Sequence, residues 1–205
     1  MNPGSPGFFL LRILPVIHQF LKFFFSTDMP IQIRNDLFEI RRLGRFDFDK
    51  LDEYLQSLSP ETRNRFGPHP FDRDAVARFY NDSSNLGYLA LHCDSGSVAA
   101  YCIVKSGFIE YDIERFRTYG IIPDNSADYT LAPSVADAWQ SCGLGSVVLR
   151  FILDDLKQAD AKRLFLWGGV QAGNLRAVNY YRKFGFRQLG QFFHEVDNLD
   201  MVLDL

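Results

Sequence analysis

The sequence predicts a mixed α/β domain in which a strand hairpin precedes a strand–helix–strand–helix–strand–strand run. Two β-rich runs, Tyr88 to Cys93 and Val98 to Val104, flank the turn Asp94-Ser95-Gly96-Ser97 and read as an antiparallel hairpin. From Tyr129 onward short apolar runs alternate with helical patterns. The 205 residues are 47% apolar, and no Pro/Gly/Ser linker divides residues 30–205, which fits one domain with one core.

Phe38 to Arg41 reads as the first strand. Asp47 is placed to cap a helix whose apolar positions Phe48, Leu51, Leu55 and Leu58 recur at helical spacing. Asp72 starts a second short helix that buries Ala75, Val76 and Phe79. After the hairpin, residues 106–127 carry little pattern beyond a short helix around Ile113 to Tyr119. Tyr129 to Val135 reads as a strand, although Pro133 lacks an N–H and requires an edge or an irregularity. A helix follows from Leu144 to Lys157, with Arg150, Asp154, Lys157 and Gln158 on one polar stripe. Arg163 to Trp167 is an unbroken apolar run of the kind buried on both faces of a sheet. Asn174 caps the next helix, which runs through Lys183 and ends at Gly185. Strands around Gln188 to His194 and Met201 to Leu205 close the chain.

A formal net charge of −3 implies no general attraction to nucleic acid. Three cysteines, Cys93, Cys102 and Cys142, with no CxxC pair, argue for a reducing compartment, the cytoplasm. The four histidines are scattered and form no HxxxH pair, so no metal is expected. Residues 1–28 differ from the rest. Gly7 to Phe25 is apolar but broken by Arg12, Pro15, His18, Gln19 and Lys22, whereas a spanning helix needs about 20 mostly apolar residues. Residues 8–25 read either as an interfacial helix in contact with a membrane or as an extension upstream of a domain over residues 30–205.

The strongest chemical signal is Gln140-Ser141-Cys142-Gly143-Leu144-Gly145-Ser146, between a strand and a helix. The first turn of a helix has N–H groups without intrahelical partners, and its dipole is positive there. Glycines at 143 and 145 remove Cβ atoms that would keep an anion away. The loop suits a pyrophosphate, or it serves only close packing. A Rossmann fingerprint would need Gly or Ala at Val148, and the chain has no Gly-Lys-Ser/Thr triplet.

The run Val135 to Gly145 resembles the GNAT acetyltransferase signature Q/R-x-x-G-x-G/A after its fourth strand. The run Asn174 to Phe186 resembles that superfamily's N-x-x-A-…-Y-x-K-x-G-F element. Residues 58–66 resemble, more loosely, a segment of some bacterial members. The resemblance implies a largely antiparallel sheet whose central parallel strands splay apart, flanked by helices, and an N-acetyltransferase using acetyl-CoA as co-substrate without metal. It gives Ser134, Val135 and Ala136 to the pantetheine arm, together with Asn174. It gives the amides of Ser141, Cys142, Gly143, Leu144, Gly145 and Ser146 to the pyrophosphate, in a cofactor cradle that begins at Gln140. Tyr181 matches the family's general-acid tyrosine. Asp128, with Glu110 second, is the nearest candidate for the base, since no Glu lies inside the fourth strand. The acceptor is an amine of a small molecule or peptide. A homodimer, and a catalytically inert acyl-CoA-binding module of the same fold, remain open.

Overall fold

A computed structural model describes residues 29–205, so the readings of segment 1–28 lie outside the described residues. The chain opens with β1 (Ile31–Ile33) and β2 (Asp36–Arg42), then α1 (Phe48–Ser57), α2 (Pro60–Arg63) and α3 (Arg73–Phe79). Strands β3 (Asn85–His92) and β4 (Val98–Ser106), helix α4 (Glu110–Thr118) and strand β5 (Asp128–Val135) follow. The second half is α5 (Leu144–Gln158), β6 (Arg163–Leu166), β7 (Val170–Gln171), α6 (Leu175–Lys183), β8 (Arg187–His194) and β9 (Val196–Asp204). The sheet runs β1-β2-β3-β4-β5-β6-β9, with β7 continuing the β6 side of β9 and β8 on the other side. Every pairing is antiparallel except β5 with β6.

Each helix docks where its apolar stripe finds a sheet face. Val148, Leu149, Ile152 and Leu156 of α5, with Val178 and Tyr181 of α6, pack on Ala100, Cys102, Leu131, Leu164 and Leu166. The opposite face, carrying Leu89, Tyr101, Ile103 and Ala132, is covered by Leu51, Tyr54 and Leu55 of α1 and Val76 of α3. Helix α4 completes that layer by laying Phe116 with Phe108 on Phe165 and Val202. Leu164 and Phe165 are therefore buried on opposite faces, as the unbroken apolar run of β6 requires.

The sheet opens in the middle. Strands β5 and β6 pair only from Asp128↔Arg163 to Leu131↔Leu166, while β5 continues to Val135 along β4. The last link is the Trp167 N–H donated to the Leu131 C=O at 2.9 Å. Ala136 donates to Ala99 on the β4 side at 2.9 Å, so even-numbered β5 residues bond to β4 and odd-numbered ones face β6. Pro133 is odd. Its missing N–H falls where β5 has no partner, which explains a proline inside the sheet.

One local expectation is corrected, and two strands add to the expected set. Asp47 precedes α1, but its side chain makes no cap bond. The carboxylate is taken by the Arg41 guanidinium at 2.7 and 2.8 Å and by the Gly44 N–H. β1 and β7 were not foreseen; at three and two residues they are too short for a periodicity to show. Asp72 does cap α3, accepting from Ala75 N–H at 2.8 Å.

Candidate active site

The opening between β5 and β6 is the floor of a cleft of about 1040 Å³. That is at the upper end for ligand sites and leaves room for a long ligand beside a second molecule. One half is built by β5, the loop before α5, and α6. The other half is built by residues 61–68, the turn after β6, and the β8–β9 turn.

The loop before α5 presents a run of unbonded amides. Ser141 and Gly143 adopt left-handed backbone, with φ of 59° and 99°. Left-handed residues interspersed in a loop are the backbone pattern from which anion-binding concavities are built. Ser141, Cys142, Gly143, Leu144 and Gly145 donate their amides to no acceptor among the described residues. Ser146 is different: its N–H closes the first turn of α5 on the Gly143 C=O at 3.0 Å. A Cβ at Gly143 would meet nothing within 4 Å, so its backbone is open to the cleft, while one at Gly145 would touch Val135 Cγ2 at 3.4 Å.

Gln140 holds this loop from behind. Its side-chain amide donates to Val135 C=O at 3.1 Å, Thr62 Oγ1 at 3.2 Å and Asp137 Oδ1 at 3.3 Å. Asp137 also accepts from the Thr62 hydroxyl and from the Ser59 N–H and hydroxyl, which together hold its carboxyl below the usual range. The walls at residues 59–62 and 135–140 are thus tied together.

Of the β5 positions assigned to the arm, only Val135 turns its N–H into the opening. Ser134 and Ala136 face β4, and the Ser134 hydroxyl is bonded to Tyr54 at 2.7 Å. Pro133 C=O points into the opening instead. From the far side Gln171 N–H faces it, because Ala172 N–H is bonded to Asp197 on β9. Ala136, Cys142 and Leu144 do not line the cleft. Leu144 is a core residue, and the Cys142 thiol bonds to Trp139 C=O at 2.9 Å, so these two can contribute only their amides.

Asn174 lies in the cleft and caps α6, accepting from Ala177 N–H at 3.2 Å. Tyr180 and Tyr181 both reach the cleft but differ in state. The Tyr180 hydroxyl donates to Gly145 C=O at 2.8 Å, bracing the first turn of α5. The Tyr181 hydroxyl has no hydrogen-bond partner among the described residues, and its ring is buried against Phe186 and Tyr180. Burial pushes its hydroxyl well above the ordinary tyrosine value, so it stays a proton donor.

Asp128 is not brought to the cleft. It opens β5 at the paired end, fully buried, with both carboxylate oxygens bonded to Arg163 at 2.7 Å and one accepting the Asp124 N–H. A carboxylate committed to a buried ion pair cannot turn to take an amine's proton. Glu110 is exposed in the first turn of α4 and also lies outside the cleft. The cleft instead contains His194 and Glu195 from the β8–β9 turn, where Glu195 is left-handed with φ 60°. Neither side chain has a partner among the described residues. Nothing in the sequence marked that turn, because its residues meet the cleft only through β9 pairing.

A family model, the acetyltransferase (GNAT) family, matches residues 51–186. The chain belongs to the GNAT acetyltransferase family. Comparison with curated proteins finds no sequence match. Among solved structures, the GNAT domain of S. lividans PAT superposes with a TM-score of 0.65 at 18% identity, covering 84% of this chain and 93% of that one. The ribosomal-protein-alanine N-acetyltransferase of Brucella melitensis gives 0.60 at 19%, covering 82% and 99%. The yncA protein of Salmonella typhimurium, a putative acetyltransferase solved with acetyl-CoA, gives 0.61 at 17%, covering 82% and 94%. At these identities the likeness is one of fold. No helix among the described residues is long and apolar enough to cross a membrane.

Proposed function

We propose that this protein is an N-acetyltransferase that transfers the acetyl group of acetyl-CoA to a primary amine by direct attack within a ternary complex. The observation that carries the reading is the convergence, in one cleft, of the unbonded amides of Ser141, Gly143 and Gly145, an open strand edge and an unpartnered tyrosine hydroxyl.

The amides of Ser141 to Gly145 and the N-terminal dipole of α5 would hold the pyrophosphate. Pro133 C=O and Val135 N–H offer the pantetheine arm one acceptor and one donor, in the manner of an added strand. Acetyl-CoA supplies the thioester carbonyl that the amine attacks. Tyr181, kept protonated by burial, donates to the sulfur as the carbon–sulfur bond breaks. We assign the amine's proton to the β8–β9 turn, where His194 and Glu195 are unengaged acceptors, directly or through water.

The test has two parts. Saturating CoA at about 100 times its dissociation constant should stabilise the fold by roughly 2.7 kcal/mol, or about 5–10 °C in Tm for a domain of this size. A panel of small amines and peptide N-termini should then release free thiol from acetyl-CoA. No shift with CoA overturns the reading outright. A shift with no thiol release from any amine leaves the inert acyl-CoA-binding module instead.

A further inference from the structure

Helix α4 carries a buried ion cluster. Arg115 donates through Nε and Nη2 to Asp200 on β9 at 2.5 and 2.9 Å, and through Nη2 to Asp112 at 2.6 Å. Asp200 is fully buried and Asp112 nearly so. Tyr119 adds a hydroxyl donated to Asp200 at 3.0 Å. Two carboxylates share one guanidinium. Such clusters are poor sources of net stability, because the desolvation cost consumes most of the attraction. What they fix is geometry.

The contacts of the cluster run toward the half of the cleft built by the turn after β6 and the β8–β9 turn. The second oxygen of Asp112 accepts the N–H of Gly168 at 3.2 Å, at the point where the chain leaves β6. Gly168 and Gly169 are both left-handed, at φ 61° and 71°. The bend is packed hard, since a Cβ on Gly169 would fall 2.7 Å from Leu199 C=O and 2.9 Å from Phe192. The Arg115 guanidinium lies 3.6 Å above the ring centroid of Phe192, two residues before His194. Tyr119 in turn rests on Gly190, where no Cβ could be accommodated and where the β8–β9 register shifts. No such contact reaches β5 or the loop before α5.

We propose that Asp112, Arg115 and Asp200 are positioning residues that set the place of the Gly168–Gly169 bend and the β8–β9 turn, and so the presentation of the amine, independently of cofactor binding. The proposal rests on the acetyltransferase reading for its kinetic part only. Its structural part concerns which wall the cluster holds.

Asp112→Ala removes the acceptor of Gly168 N–H, and Arg115→Lys keeps the charge while losing the fork and the stacking on Phe192. Because either variant can fail to fold, Tyr119→Phe, which deletes one hydroxyl, is made beside them. Amide hydrogen exchange on the full chain should speed up about 10- to 100-fold at residues 166–171 and 190–198, the scale of one bond to a charged group, with residues 139–148 unchanged. The Tm shift with CoA should match the wild type. With whichever panel amine supports thiol release, KM for the amine should rise about tenfold or more while KM for acetyl-CoA stays put, and Asp112→Glu should recover part of the loss. Exchange that rises uniformly over the chain, or KM values that rise together, would overturn the proposal and leave the cluster a fold-wide stabiliser. If no amine is turned over, the exchange pattern still decides.

Discussion

The adjacent tyrosines of α6 give the sharpest test of the site, because one hydroxyl is engaged and the other is not. Tyr181→Phe removes a hydroxyl with no partner among the described residues while leaving the ring against Phe186 and Tyr180. Its effect on stability should stay within about 0.5 kcal/mol. Turnover should fall about 10²-fold, the lower end for general acid catalysis, since a CoA thiolate leaves readily. Tyr180→Phe removes the bond to Gly145 C=O, worth about 0.5–1.5 kcal/mol, and so loosens the first turn of α5 where the amides converge. It should weaken CoA binding about 3- to 10-fold and leave kcat nearly intact. The assay is thiol release with a panel amine, beside CoA titration by thermal shift, on both variants. The pH profile adds a sign. The working form of Tyr181 is the protonated one, and burial raises its pKa, so wild-type activity should show no tyrosine-linked loss until above pH 10, the ordinary value. Equal kcat losses in the two variants, or a Tyr181→Phe chain that loses CoA affinity rather than rate, would refute the assignment.

Two further outcomes follow from the same geometry. Gly143→Asp places a carboxylate among the unbonded amides at φ 99°. The CoA-dependent Tm shift should vanish, with an intrinsic strain cost of about 1–2 kcal/mol. Gly143→Asn tolerates left-handed backbone better, lacks the charge and should keep part of the shift; equal loss in both would make strain the cause. Asp128→Asn breaks the buried pair with Arg163 and should cost about 3 kcal/mol, lowering Tm roughly 6–12 °C, yet the folded fraction at low temperature should turn over normally. A variant that melts like the wild type but is inactive would return Asp128 to the chemistry.

The order of the longer elements, though not β1, α2 or β7, was legible in the sequence, as were the helix starts at Asp72 and Asn174 and the loop from Gln140 to Gly145. They depend on local causes: cap side chains, periodicity, and glycine at a left-handed position. Tyr181 rather than Tyr180 followed from the family register, and the structure shows what distinguishes them, a carbonyl of another helix that only folding brings to Tyr180. The errors fall where function is set between distant segments. Asp128 is the nearest acidic candidate along the sequence, but Arg163, 35 residues away, claims it through the parallel pairing of β5 with β6. Pro133 marked an interruption of the sheet without saying on which side; strand alternation and the early end of β6 decided that. Residues 106–127 carried almost no pattern, yet α4 puts Asp112 and Arg115 against Gly168 and Asp200, across 56 and 85 residues of chain. Local chemistry is written in local sequence, but which charge is paired, which amide is left open and which turn faces the cleft depend on contacts that exist only once the sheet has closed around its gap.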